Sequence, residues 1–284
     1  MRGKYLPTDL LFLFYLSLTG FLILFFHNPS QPWLLRFILH LFFIFLIFFF
    51  VRYCPQNLPG YSFFRHWYPP LSYSFIYGEL EFLNRLFSND YHDRAILSLE
   101  EFVFGGQPSL WLSQVFHFPF FSEYLHLSYF SYYLLIPSLG LVLYFKRRLK
   151  EFHLFIFSIT LGFFFCYLIF IFYPVLGPYY QFEKIGLPLS QYPFLTMTHW
   201  IIERWDSAGS AFPSSHVAIA LLVLLWARRF ERRVFVILAP FVAGLIIGTV
   251  YGRFHYAADT LAGILVGLGI FLITPRFYSA LTKT

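Results

Sequence analysis

Two histidines stand at polar edges of apolar runs in the C-terminal half of the chain. His216 closes the stretch Gly209-Ser210-Ala211-Phe212-Pro213-Ser214-Ser215-His216, and His255 lies within Arg253-Phe254-His255-Tyr256-Ala257-Ala258-Asp259. In the first stretch Pro213 suits the opening position of a helix, where a missing N–H costs nothing and φ is preset. The N–H groups of Ser214, Ser215 and His216 then leave the helix end without intrahelical partners, and such an end attracts anions. In the second stretch His255 and Asp259 are four residues apart, which places them on one helix face. A carboxylate beside an imidazole fixes its tautomer and stabilises its charged form.

An imidazole held in this way is a competent nucleophile toward phosphorus, and a second one can protonate the leaving oxygen. The expected chemistry is a two-step phosphoryl transfer. His255 attacks and becomes phosphohistidine, while His216 protonates the departing alcohol. Water or another alcohol then attacks, with His216 as base. Helix N–H groups, Ser214, Ser215 and the Arg253 guanidinium are expected to hold the phosphate oxygens. A metal centre built from His216, His255 and Asp259 is the less favoured reading, because no further carboxylate or Cys stands at ligand spacing. The site is therefore read as needing no metal and no cofactor.

The elements that carry these residues are membrane spans. The chain of 284 residues is 58% hydrophobic and only 12% charged, with mean hydropathy +0.64, values that exclude an ordinary soluble domain. A net charge of +6 could suggest nucleic acid, but the basic residues cluster between apolar runs, as cytoplasmic loops do. No nucleic-acid partner is expected; the partners are membrane lipids. Cys54 and Cys166 are too far apart in sequence to suggest a disulfide or a thiolate site.

Runs of about 20 apolar residues mark the spans: Asp9 to Phe26, Trp33 to Val51, Tyr124 to Phe145, Phe152 to Tyr173, Ser214 to Trp226, Val234 to Val250, and a last one from Tyr256 to Ile273. Arg36 and His40 lie near one end of the second, within snorkelling reach of the interface. Arg65-His66-Trp67-Tyr68-Pro69-Pro70 reads as an interfacial segment, and Leu71 to Phe87, with Glu79, Glu81 and Arg85, as a helix lying on the membrane. The fold class is an all-α polytopic membrane helix bundle of about six to seven spans with an interfacial helical cap. Its organisation is residues 1–123 as N-terminal spans and cap, and 124–284 as the catalytic bundle.

The clusters Lys146-Arg147-Arg148-Leu149-Lys150 and Arg228-Arg229-Phe230-Glu231-Arg232-Arg233 mark the cytoplasmic face. The loop Pro174 to Pro213 and the turn Tyr251 to Tyr256 then share the opposite, periplasmic, extracellular or lumenal side. At the amino end two readings stand. Either the N-terminus is on that outer side, despite Arg2 and Lys4, or Leu71 to Phe87 crosses after all.

Phe212-Pro213-Ser214-Ser215-His216, followed about forty residues later by His255-Tyr256-Ala257-Ala258-Asp259-Thr260-Leu261-Ala262-Gly263, resembles the second and third signatures of the type 2 phosphatidic acid phosphatase superfamily. That superfamily's helical fold is shared with acid phosphatases and vanadium haloperoxidases. The resemblance covers roughly Phe152 to Ile273 and implies His216 as acid and base, His255 as nucleophile and Asp259 as its partner. Two departures stand out. The usual first signature, Lys followed by Arg-Pro, is replaced by Tyr173-Pro174-Val175-Leu176-Gly177-Pro178-Tyr179-Tyr180, which is more similar to the inositol phosphorylceramide synthase branch. The Arg usual six residues before the second histidine is Thr249.

The expected function is thus an integral membrane lipid phosphatase or phosphotransferase acting on lipid phosphate esters, with phosphoinositol-type headgroup transfer as the finer expectation from the resemblance. The alternative is a non-catalytic lipid-binding or transport protein that keeps the fold. In the outer loop Glu183, Lys184, His199, Glu203, Arg204 and Asp206 read as solvated, with Lys184 or Arg204 in reserve as the phosphate cation. Tyr179 and Tyr180 read as interface aromatics. His92 and His117 receive no role.

Overall fold

The computed structural model describes residues 5–53, 60–116, 118–184 and 192–283. Cys54, His117 and residues 185–191 of the outer loop lie outside them. Among the described residues the chain forms fourteen helices: α1 (Pro7–Phe26), α2 (Trp33–Tyr53), α3 (Tyr61–Tyr77), α4 (Leu80–Leu83), α5 (Asp93–Phe104), α6 (Pro108–Val115), α7 (Pro119–Phe130), α8 (Tyr132–Phe145), α9 (Leu149–Phe172), α10 (Pro178–Gln181), α11 (Pro193–Trp205), α12 (Ser215–Phe230), α13 (Arg232–Tyr251) and α14 (Ala257–Thr282). No β-strand forms among them; one isolated parallel bridge joins Val175 to Ser210.

Five helices, α1, α2, α9, α13 and α14, are long and apolar enough to cross a membrane, and α7 with α8 makes a sixth candidate bent by 50°. The architecture is the all-α, multi-pass bundle that the composition calls for. Helix α9 is its axis. Of its most apolar window 72% is buried, against 17% for α2, so α9 is packed on most sides while α2 presents a row of Phe and Leu outward. A helix apolar all round needs such a central place or a lipid surround.

The sequence reading of residues 65–87 is corrected here. Arg65 to Pro70 is not a separate interfacial segment, and Leu71 to Phe87 is not one surface helix. Pro69 and Pro70 lie inside α3, which runs alongside α9 in the same direction. Trp67 meets Phe152 with ring centroids 5.3 Å apart, Tyr73 Oη lies 2.8 Å from Thr160 Oγ1, and Tyr77 meets Tyr167 at 6.1 Å. Arg65 and Glu79 are paired internally, while Glu81 stays exposed. Arg65 donates to Asp9 at the start of α1, and Tyr68 Oη donates to the same carboxylate. Glu79 turns toward Arg36 and His40 of α2, at 3.8 and 3.5 Å. His40 consequently does not snorkel; it is buried, with Nε2 2.9 Å from Thr19 Oγ1. Buried charges are tolerated when paired and hydrogen-bonded.

Helices α12 and α14 approach unusually closely. A Cβ on Gly263 would stand 2.5 Å from Ser214 O, and one on Gly267 2.9 Å from Ala218 O. Small residues at such a face let backbones meet, and this contact sets the distance between the two histidine segments.

Candidate active site

His216 is the second residue of α12. The helix opens at Ser215, two residues after Pro213. Ser214, not Pro213, is its boundary: Ser214 is the N-cap and its side chain accepts from the Val217 N–H at 3.3 Å. Pro213 stands just before the cap, after a cis Phe212-Pro213 bond. The Ser214 N–H is not free for an anion either, since it donates to Asp259 O at 2.9 Å. A serine hydroxyl serves this capping role well, and it ties α12 to α14.

His255 arrives from the end of α13. The N–H groups of Phe254 and His255 both turn back to Thr249 O at 3.0 Å, and Arg253 takes the left-handed conformation, φ 59°. Such a closure satisfies the last carbonyls of a helix. It also throws the Arg253 side chain away from the histidines. Its guanidinium donates to Ser113 Oγ on α6 and to Glu183 O, and burial lowers its pKa from the usual value. Thr249 itself is buried, 3.1 Å from Thr260 Oγ1.

The two imidazoles meet. His255 Nε2 lies 3.4 Å from His216 Nδ1, with ring centroids 5.6 Å apart. The proton positions follow from the partners. His255 Nδ1 is 3.0 Å from Ala211 O; a carbonyl only accepts, so this nitrogen carries the hydrogen. His255 Nε2 therefore presents its lone pair, and His216 Nδ1–H points at it. His216 Nε2 then accepts from Tyr129 Oη, 3.3 Å away. Asp259 Oδ2 sits 3.6 Å from His255 Nδ1 and accepts from the Tyr256 N–H at 2.8 Å. The carboxylate thus flanks the imidazole at ion-pair distance, and the Ala211 carbonyl is the imidazole's direct hydrogen-bond partner.

Both segments are clamped by the cap. Asp93, at the start of α5, accepts from the N–H groups of Leu176 and Gly177 at 2.9 Å each and from Tyr256 Oη at 3.0 Å. Glu100 accepts from the Ala258 N–H at 3.0 Å. Burial holds the Glu100 carboxyl above its ordinary range, opposed by that hydrogen bond. The Pro174 to Gly177 segment is laid against the stretch leading into His216 by the backbone bonds Val175 N–H to Gly209 O and Ala211 N–H to Val175 O.

The histidines open into a small cavity lined by Tyr77, Tyr129, Tyr179, Tyr180, Asp206, Ser210, His216, Phe254 and His255, with Leu176, Ile202 and Ala211. Of the residues expected to grip phosphate, Ser214, Ser215 and Arg253 do not line it, and Asp259 lies behind His255. Lys184 and Arg204 do not line it: Lys184 pairs with Glu203 and stands over the Tyr179 ring at the rim, and Arg204 stacks over Trp200. Asp206, Tyr179 and Tyr180 do line it, although the sequence reading left them to solvent and interface. Their one local signal is position, since Asp206 stands four residues before Ser210. Tyr77, Tyr129, Asp93 and Glu100 carry no such signal.

The profile of the PAP2 superfamily matches residues 94–273, well over half of the chain. The chain belongs to the PAP2 superfamily. The match takes in α6 to α13, both histidine segments and most of α5 and α14; Asp93, which clamps the site, stands just before it. No curated protein and no solved structure gives a significant match. Membership supports phosphatase-type chemistry on lipid phosphate for a multi-pass membrane protein.

Proposed function

We propose that this PAP2 protein transfers a phosphoryl group from a membrane lipid through a covalent intermediate on His255 Nε2. The carrying observation is the pair of imidazoles 3.4 Å apart in one cavity, with Nδ1 of His255 fixed by Ala211 O. A lone pair fixed in direction removes much of the orientational cost of attack. As the N–P bond forms, the P–O bond to the lipid alcohol breaks, and His216, entering this step as the imidazolium with both nitrogens protonated, gives one proton to the leaving oxygen. Water or an alcohol then attacks phosphorus, His216 takes its proton, and the N–P bond breaks. Phosphorus enters by parting the two rings, whose present contact leaves no room between them.

Whether the acceptor is water or a second lipid alcohol divides hydrolase from transferase. Gly177-Pro178-Tyr179 beside the cavity favours transfer, with a phosphoinositol-type donor as the expectation from resemblance. The outward sidedness rests on charge: the histidine ends of α9 and α12 are opposite the Lys146–Lys150 and Arg228–Arg233 clusters, which belong on the cytoplasmic side.

Purified protein should release or transfer a phosphorus-containing group from lipid vesicles, and His255→Ala should lose at least about 10³-fold in turnover with unchanged folding. Wild-type turnover by that variant would remove the nucleophile assignment. The absence of a cationic side chain among the described cavity residues favours one rival, a lipid-binding protein without turnover. It requires lipid binding by the wild type with no product from any phospholipid.

A further inference from the structure

The cavity has two chemically different walls. One carries His216 and His255. The other is built on Asp206, whose Oδ1 accepts from Tyr77 Oη at 2.6 Å and whose Oδ2 accepts from Tyr180 Oη at 3.0 Å. Ser210 Oγ, 2.8 Å from Tyr77 Oη, donates to Ser207 O at 2.6 Å. The Ser207 N–H in turn points at Tyr77 Oη, 3.3 Å away.

Counting hydrogens on this wall gives its character. The hydroxyl hydrogens of Tyr77, Tyr180 and Ser210 are all committed inward. What remains for a ligand is acceptor capacity: lone pairs of Tyr180 Oη and Ser210 Oγ, and the remaining acceptor sites of a carboxylate that has about four and uses two. The wall is an acceptor surface with one negative charge. Among the described residues lining the cavity there is no Lys or Arg. The nearest candidates have other partners: Arg253 is held by Ser113 and Glu183 O, and Lys184 pairs with Glu203 at the rim, 5.1 Å from the Tyr179 ring centroid.

This charge pattern discriminates among lipid phosphates. A phosphomonoester brings up to two negative charges into a cavity that already holds one. An anionic diester with a polyol headgroup brings one, and its hydroxyls present oxygen lone pairs as well as hydrogens to the acceptor wall. A quaternary ammonium supplies charge but no N–H. A primary ammonium supplies both: it is cationic, donor-only and has three hydrogens. In a phosphodiester it also leaves the ligand with no net charge.

We infer that Asp206, with Tyr77 and Tyr180, is the specificity pole of the cavity, and that the lipid it selects is a phosphodiester with a primary-ammonium headgroup of the aminoethyl type. The inference rests on the reading of His255 as nucleophile for the position of phosphorus. With the ammonium on Asp206 and phosphorus at His255 Nε2, the glyceryl oxygen is the leaving group. The N–P bond forms as the glyceryl P–O bond breaks, His216 protonates diacylglycerol, and the aminoethyl phosphoryl group stays in the cavity until water or an alcohol takes it.

Two measurements separate this inference from the reading beneath it. The first is turnover of phosphatidylethanolamine, phosphatidylinositol, phosphatidylcholine and phosphatidic acid, each presented alone in the same detergent micelles. The wild type should turn over phosphatidylethanolamine at least tenfold faster than the others. Asp206→Asn should erase that preference, and an unchanged thermal unfolding midpoint in the same micelles should report an intact fold. Tyr180→Phe, at a half-exposed ring, should lose part of the preference. The second is binding of short-chain forms of the same four lipids to folded His255→Ala protein, which needs no chemistry. The aminoethyl lipid should bind at least tenfold tighter, and adding Asp206→Asn should abolish the difference. Preference for phosphatidylinositol, phosphatidylcholine or phosphatidic acid in either measurement, or a preference indifferent to Asp206, overturns the inference and leaves the His255 mechanism standing. Selective binding in an active enzyme that does not need His255 overturns the mechanism and leaves Asp206 as the selecting group.

Discussion

At the scale of single residues, the site works by relayed hydrogen bonds. Ala211 O fixes the His255 proton, which fixes the free nitrogen, which fixes the His216 tautomer, which leaves His216 Nε2 to Tyr129. Tyr129 is buried and its ring stacks on His216 at 5.0 Å, with Tyr132 on another side at 4.4 Å. Tyr129→Phe keeps the ring and removes one hydrogen bond, an interaction of about 1 kcal/mol. Turnover should fall about fivefold to tenfold with KM unchanged, measured by steady-state kinetics on the preferred lipid. Unchanged turnover would mean that the relay does not extend to Tyr129. The two histidine segments were readable from residue type and spacing. Tyr129 was not, because a tyrosine among many aromatics in an apolar run has no local mark of its partner.

At the scale of elements, the geometry depends on how closely α12 and α14 approach. Gly263 faces Ser214 O, the carbonyl of the cap residue just before His216's turn. An added methyl group at 2.5 Å from a backbone oxygen cannot be relieved by a rotamer change. Gly263→Ala should therefore cost about 1–3 kcal/mol, as overpacking does, and should lower activity more than thermal stability alone accounts for. Gly269→Ala on the same helix meets nothing within 4 Å and is the control; thermal unfolding and turnover of both in detergent test the comparison. The small-residue pattern at 260–263 announced close packing. It could not announce the partner atom, which belongs to a segment about fifty residues away. The same reason explains residues 65–87: Arg65 and Glu79 look like surface charges until Asp9, Arg36 and His40 are placed beside them.

At the scale of the whole molecule, α3 bears on the orientation of the amino end. It runs parallel to α9 over Phe152 to Tyr167, a length of about 22 Å at 1.5 Å per residue, most of a bilayer's apolar thickness. Counting α3 as a span makes three crossings before the cap, so a cytoplasmic start and an outward cap agree. Single cysteines in a background without Cys54 and Cys166 test this. Ser30→Cys and Asn89→Cys should react with a membrane-impermeant maleimide on intact cells, and Lys150→Cys only after lysis. Labelling of Ser30→Cys and Asn89→Cys on opposite sides would show that α3 does not cross.

Composition, apolar run length and basic clusters are one-dimensional quantities, and they determined that the chain is a helical membrane bundle with two histidine segments at span ends. Helix formation and burial in lipid depend mainly on neighbours in sequence, so the sequence suffices for them. Which groups face a ligand depends on contacts between residues far apart along the chain. Folding alone turned Arg253 outward through a left-handed residue, made Ser214 a cap, and brought Asp206 and Tyr77 into the cavity. The cap and the turn close on Val217 and Thr249 nearby in sequence, but the groups that face the cavity follow from hydrogen-bond partners that exist only once α3 and the outer loop are packed against α9 and α12.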